Sequence, residues 1–324
     1  MRAFVSADDL GLTRATTDGI LNAFDQGLLS STSVLAAGSD FDRAISQWRK
    51  RDGLALTVHL NLMEGRPVAP PEQVSLLLNA SGEMAHSFID MLRLSLTLRG
   101  AERERFREAL RIELNAQIER VATALGDGWR PRLDGHQHYH MIPIVLETIL
   151  ELHERWNFSY MRTLEEPLFL VPEIRRALPN YVGSNLAKHA ILRPLARRAR
   201  RQLTERGIPH CRWFVGLLFS GNMTIEPVRA ALTHLSRRNA DDEIVEILLH
   251  PGRAQEAEAS LWAARPDLRE YYRSPWRDRE HATLCSPEFR AALAPHLCSA
   301  IDFSRPGFSR PDFSRQSQQR TPPS

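Results

Sequence analysis

The sequence predicts a parallel α/β fold in which a barrel-like sheet presents its chemistry at one end. Two observations carry this. Short apolar runs alternate with amphipathic helical stretches from Ala3 to His250, the pattern of strands joined by crossover helices. The polar groups that break those runs, Asp8-Asp9, His59, His136 and His250, all fall at strand ends. In (β/α) barrels the C-terminal strand ends form the active face, so positions far apart in sequence can meet there. The 324 residues are enough for one large barrel or two domains.

Ala3-Phe4-Val5 reads as the first strand and ends in the adjacent acids Asp8 and Asp9. Side chains alternate along a strand, so the two acids should point different ways. Gly11 and Thr13 open a helix with Ile20, Ala23 and Phe24 on one face and Gly27 at its C-terminal cap. Ser31 to Leu35 is strand two. Asp40 is placed to cap a helix carrying Phe41, Ala44, Ile45 and Trp48. Leu54 to Leu62 is strand three, with Thr57, His59 and Asn61 on one face. Periodicity weakens between 63 and 100, which reads as an insertion covering one end of the molecule. A long helix follows over 102–125, with Phe106, Leu110, Leu114, Ile118, Val121 and Leu125 in register and Gly126 at its end.

The densest polar stretch is Asp134-Gly135-His136-Gln137-His138-Tyr139-His140, with three of the chain's 12 histidines. Read as a strand from Arg132, it puts Asp134, His136, His138 and His140 on one face. Imidazole is a common ligand for divalent metals, and a nearby carboxylate often orients the ring. A surface histidine cluster is the alternative, disfavoured by the apolar neighbours Leu133, Met141 and Ile142. Further on, the pattern gives a helix from Ile144 to Trp156, a strand from Phe158 to Arg162 and a basic amphipathic helix over 185–206. A strand at Trp213–Leu217, a helix at Ile225–Leu235 and a strand from Glu243 to His250-Pro251-Gly252 complete it. From 303 to 324 the chain repeats Phe-Ser-Arg and then turns to Gln, Pro and Ser, a composition expected to be disordered. The expected domain therefore spans 1–302.

Composition narrows the functional classes. The net charge of +3 is no nucleic-acid signature. The three cysteines, Cys211, Cys285 and Cys298, lack CxxC spacing and point to a reducing cytoplasm. No apolar signal-peptide core follows Arg2, and no apolar run reaches the roughly 18 residues that a membrane span needs. Asp9, His59 and His136 would make an N,N,O ligand set for one divalent ion, with Asp8 as base and His250 as proton donor. That set suits hydrolysis of an amide or ester.

Four stretches, Ser6–Gly11, Val58–Leu62 with Gly65-Arg66-Pro67, Asp134–Met141 and Glu246–Gly252, resemble the YdjC-like carbohydrate deacetylases, the ChbG/HpnK family. The middle of the chain, with Val215–Gly221, looks most similar to the hopanoid-associated HpnK branch. The resemblance implies a distorted (β/α) barrel that removes an N-acetyl group from an amino sugar with one divalent metal, magnesium or zinc. It implies Asp9, His59 and His136 as ligands, Asp8 as base, and His250 as acid or substrate contact. Asp134, His138, His140, Asn61 and Arg162 would line the pocket or stand behind the ligands. The chain departs from the family pattern at Ser6 and Leu10, where Asn and Phe are common, and neither is a ligand. The expected partner is an N-acetylated sugar or glycolipid, met in the cytoplasm or at the inner membrane surface. A peripheral membrane contact and a homodimer are left open. An amidohydrolase-type hydrolase and a non-catalytic metal- or sugar-binding protein are the alternatives.

Overall fold

The structure, a computed structural model, describes residues 1–238, 243–298 and 300. The Phe-Ser-Arg tail lies outside these residues. In chain order the elements are β1 (Arg2–Leu10), α1 (Arg14–Gln26), β2 (Ser31–Val34), α2 (Phe41–Trp48), β3 (Ala55–Leu60), α3 (Phe88–Thr97), α4 (Gly100–Leu125), β4 (Arg132–Gly135), α5 (Pro143–Trp156) and β5 (Tyr160–Met161). There follow α6 (Ile174–Val182), α7 (Ser184–Glu205), β6 (Trp213–Val215), α8 (Ile225–Ser236), β7 (Ile244–Leu249), α9 (Pro266–Tyr272), α10 (Trp276–Cys285) and α11 (Pro287–Leu293).

All seven strands pair in parallel, in the order β5-β4-β3-β2-β1-β7-β6. This is the cyclic order of a (β/α) barrel opened between β5 and β6, and so a distorted one. β5 is only two residues long and cannot form a full ladder with its neighbour. Two backbone bonds stitch the seam instead, Met161 N–H to Pro209 O at 2.9 Å and Phe214 N–H to Glu165 O at 3.2 Å.

Strands buried on both faces need apolar residues at nearly every position, and β7 meets this with Val245, Ile247, Leu248 and Leu249 all buried. Around the sheet the helices bury one stripe each. On α4 Phe106, Leu110, Leu114, Ile118 and Val121 are buried as their spacing predicts, while Leu125 is half-buried. The Thr13 hydroxyl caps α1 by accepting from Thr16 N–H at 3.2 Å. Asp40 precedes α2 without capping it. Its carboxylate is turned to Arg43, at 2.9 Å, and makes no bond to the helix amides.

Three expectations are corrected. β4 ends at Gly135, and His136–Met141 is a tight 3-10 turn in which Gln137 (φ 47°) and His138 (φ 66°) are left-handed. The histidines therefore do not share one strand face. β1 runs through the acid pair, but between Ala7 and Leu10 its two residues Asp8 and Asp9 oppose the single Ser33 of β2, which is a bulge. No periodicity marks α9, α10 and α11, which follow His250-Pro251-Gly252; α9 and the start of α10 reach the strand ends, whereas α11 packs at the other end of the molecule, beside Gly27 and α8.

Candidate active site

The bulge decides what the acid pair can do. Asp9 sits at φ 76°, a left-handed conformation that costs a non-glycine residue about 1–2 kcal/mol. This turn of the backbone undoes the alternation expected of neighbours. Both acids consequently face one histidine: His59 Nε2 lies 3.9 Å from Asp8 Oδ2 and 3.7 Å from Asp9 Oδ1.

His59 arrives from the C-terminal end of β3, and His136 from the turn after β4. Asp9 Oδ1, His59 Nε2 and His136 Nδ1 form a triangle with sides of 3.7, 3.3 and 3.2 Å. Ligands that each stand about 2.0–2.2 Å from a shared ion are about 3–3.7 Å apart. The three groups therefore fit a divalent cation as they stand. Asp8, His59 and Asp134 form a second converging group, but the Arg162 guanidinium already neutralises both of its acids.

Each atom of the triangle is fixed from behind. Asp134 Oδ1 is 2.7 Å from His59 Nδ1, leaving Nε2 to face the site. Glu64 Oε1 and the Tyr272 hydroxyl, each at 3.0 Å, hold His136 Nε2. Trp262 Nε1–H donates to Glu64 at 2.9 Å, and Tyr272 also donates to it. Arg277 donates to Asp9 Oδ2 at 2.8 Å. Such outer contacts set the tautomer and ring orientation of metal-binding histidines. Burial opposes the Asp9 charge, but Arg277 and His136 outweigh it and hold the carboxyl well below its usual range. Burial likewise opposes a proton on His136, yet Asp9 and Glu64 raise its pKa to about 10. A cation is what this pocket favours, whether a proton or a metal.

Asp8 is gripped by Arg162 through two bonds of 2.8 and 2.9 Å, with the Ser33 hydroxyl at 3.2 Å. Burial alone would raise its pKa, but Arg162 and His59 push it below the carboxylate range. His250 stands at the cleft mouth with 12% of its side chain exposed; its backbone N–H donates to Glu280 and its ring meets Tyr271 edge-on. His138 lines the cleft. His140 packs behind it, against Gly135, where any side chain would meet His140 Nδ1 at 2.7 Å. Burial keeps His140 neutral, with a pKa of about 3, and neither of its ring nitrogens has a protein partner. Asn61 is turned to its own loop: its oxygen accepts from the Met63 and Glu64 amides and its amide donates to Glu64 O. It shapes the turn that delivers Glu64.

The chain matches the family model described as YdjC-like protein over residues 2–295. It belongs to the YdjC-like family. The carbohydrate deacetylase of Mus musculus is 28% identical over 95% of this chain and 97% of its own length. The chitooligosaccharide deacetylase of Serratia marcescens is 30% identical over 43% of this chain and 50% of its own. A solved Enterococcus faecalis structure, described as a candidate cellobiose-phosphate cleavage protein, superposes with a TM-score of 0.66 at 20% identity, covering 92% of this chain and 96% of that one. At that identity the likeness shows the fold.

Two spaces adjoin in this YdjC-like chain. The cleft over Asp8, Asp9, His59 and His136 is narrow, about 20 Å³, roughly room for one water. Beside it opens a cavity of about 530 Å³ walled by Met63, Met84, Phe88, Ile89, Tyr139 and Ile191. Gln137, His138 and Lys188 line both. Sequence reasoning missed Glu64, Tyr272, Arg277 and Glu280. Glu64 had one available signal, an acid four residues past a strand end. The other three lie where no motif or periodicity marks them.

Proposed function

We propose that this chain is a metal-dependent carbohydrate N-deacetylase. The observation that carries it is the preformed Asp9–His59–His136 triangle with the separately held Asp8 beside it. The names of the relatives point to the same reaction. A divalent ion held by that triangle would polarise the amide carbonyl and activate water. Asp8, kept ionised by Arg162, takes a proton from the water. His250, at the mouth, gives a proton to the departing nitrogen. The C–N bond breaks, a C–O bond forms, and acetate and an amino sugar leave. Asp134 holds His59 in the tautomer that frees Nε2, and Glu64 does the same for His136 Nδ1. Arg162 belongs to this machinery through Asp8 and Asp134. Two imidazoles and one carboxylate suit zinc by donor type better than magnesium, which prefers oxygen.

The substrate we favour is an N-acetyl sugar on an apolar aglycone, as in the HpnK branch. The support is the apolar cavity beside the cleft, with Ile89 and Ile191 exposed at its rim. The insertion over 63–100 supplies most of that wall and acts as the cap of a single domain spanning 1–302. A peripheral contact with an anionic membrane surface would use the basic face of α7, and part of that charge is already paired. On α7, Arg197 and Arg200 pair with Glu165, and Arg198 pairs with Glu147. Those charges are engaged within the fold. No helix among the described residues is long and apolar enough to cross a membrane.

Acetate release by the zinc- or magnesium-loaded protein is the test. N,N′-diacetylchitobiose and an N-acetylglucosaminyl glycolipid in micelles are compared at matched concentration. The expected result is release from both, faster from the glycolipid. No release from either removes the deacetylase assignment, and preference for the disaccharide removes the apolar-aglycone part. Salt-sensitive flotation with anionic vesicles tests the membrane contact.

A further inference from the structure

Lys188, from the first turns of α7, lines both the reaction cleft and the cavity. Among the described residues its Nζ has one hydrogen-bond partner, Gln137 Oε1 at 3.4 Å. Gln137 is itself held in a left-handed turn at that junction. Among the described residues no carboxylate neutralises Lys188. Lys188 is exposed where it lines the two spaces. The acids across the cleft are already engaged, Asp8 with Arg162 and Asp9 with Arg277. Lys188 is therefore an uncompensated cation where substrate must pass.

The proposed reaction changes the charge of the sugar. An N-acetyl group is neutral. Hydrolysis leaves a primary amine, which is mostly protonated at neutral pH, as aliphatic amines are. Like charges meeting at the mouth of a narrow cleft repel, most at low ionic strength. We propose that Lys188 is a specificity-determining residue that admits the neutral N-acetyl sugar and repels the cationic amine made from it. It thereby limits product inhibition. This rests on the deacetylase reading above.

The test uses the full-length, metal-loaded protein and whichever of the two N-acetyl substrates the wild type deacetylates. Inhibition by the matching amine and by the matching glucosyl compound, neutral with hydroxyl in place of amine, is measured. Lys188→Met and Lys188→Gln should be inhibited about tenfold more strongly by the amine, with inhibition by the glucosyl compound unchanged. Lys188→Arg should match the wild type. Unchanged amine inhibition overturns the role, as does equal strengthening for both compounds, which would mean only a wider cleft. A wild type that releases no acetate overturns the deacetylase reading and this inference with it. An acetate-releasing enzyme with unchanged inhibition constants overturns this inference alone.

Discussion

The cleft around Asp8, Asp9, His59 and His136 buries its carboxylates against cations, whereas Glu166 at the β5–β6 seam is buried without one. At the centre Asp8 touches Arg162, Asp9 touches Arg277, Asp134 touches Arg162 and His59, and Glu64 touches His136. Asp8, Asp9 and Glu64 are all held below their ordinary pKa despite burial. At the seam Glu165 pairs with Arg197, Arg200 and Arg212, but the side chain of Glu166, as deeply buried, among the described residues accepts only from the backbone N–H groups of Gly216, Leu217 and Leu218, at 2.7, 3.2 and 2.8 Å. Burial prevails there and lifts its pKa to about 7. Hydrogen bonds from neutral donors shape a loop, whereas full opposing charges keep an acid ionised. The cleft thus keeps these carboxylates ionised at neutral pH.

The sharpest way to break the comparison is to remove a ligand. His136→Ala and Asp9→Ala should lose bound metal and with it essentially all acetate release, measured by elemental analysis alongside activity. Full metal content in either variant would show that the triangle is not the site. Next in size is Asp8→Asn, which keeps the shape beside Arg162 but removes the proton acceptor. It should retain metal and lose about 10²–10⁴ in rate, the usual range for a general base. Near wild-type turnover would pass that role to another group, with His138, which also lines the cleft, the next candidate.

The outer contacts give a smaller effect and a pH signature. Glu64→Gln should weaken metal binding about 10–100-fold, the range for such partners, read by calorimetry. In the metal-free protein His136 has its pKa raised from 6.5 to about 10. Its contribution to stability is full below pH 6.5 and is lost as pH rises through about 10. Metal must displace that proton, so wild-type affinity should climb about tenfold per pH unit between those limits. In Glu64→Gln the climb should end at a lower pH, because one of the two carboxylates holding the proton is gone. A pH-independent affinity would refute the coupling.

These partners also show where the sequence was legible. Asp8, Asp9, His59, His136 and His250 sit in short motifs at the ends of strands whose apolar runs are plain, so their convergence follows from the barrel topology. What the strands could not reveal is backbone detail. The bulge at Asp9 and the left-handed Gln137–His138 turn overrode simple alternation, the first bringing two acids together and the second scattering the histidines. Glu64, Tyr272, Arg277 and Glu280 come from a loop and from helices joined to the site only by folding. A residue that acts through long-range contact leaves no local pattern to read.

The seam offers the smallest effect and the cleanest control. Glu166 favours its proton in the folded protein, with a pKa of about 7 against an ordinary 4.5. Its contribution to stability is therefore full below about pH 4.5 and declines as pH rises through 7. Ionised above that, it has three backbone donors but no cation, and the penalty is at most of order 3 kcal/mol. Glu166→Gln keeps an oxygen for those N–H groups and cannot ionise. Relative to wild type, the variant should gain stability between pH 5 and pH 8, seen as a thermal midpoint that falls less with rising pH. Metal content should not move, because the loop it braces bears Leu217 and no ligand. If instead the variant's pH profile tracks the wild type's, Glu166 is held ionised in both limits by a charge outside the seam. The contrast between the two regions would then be one of degree.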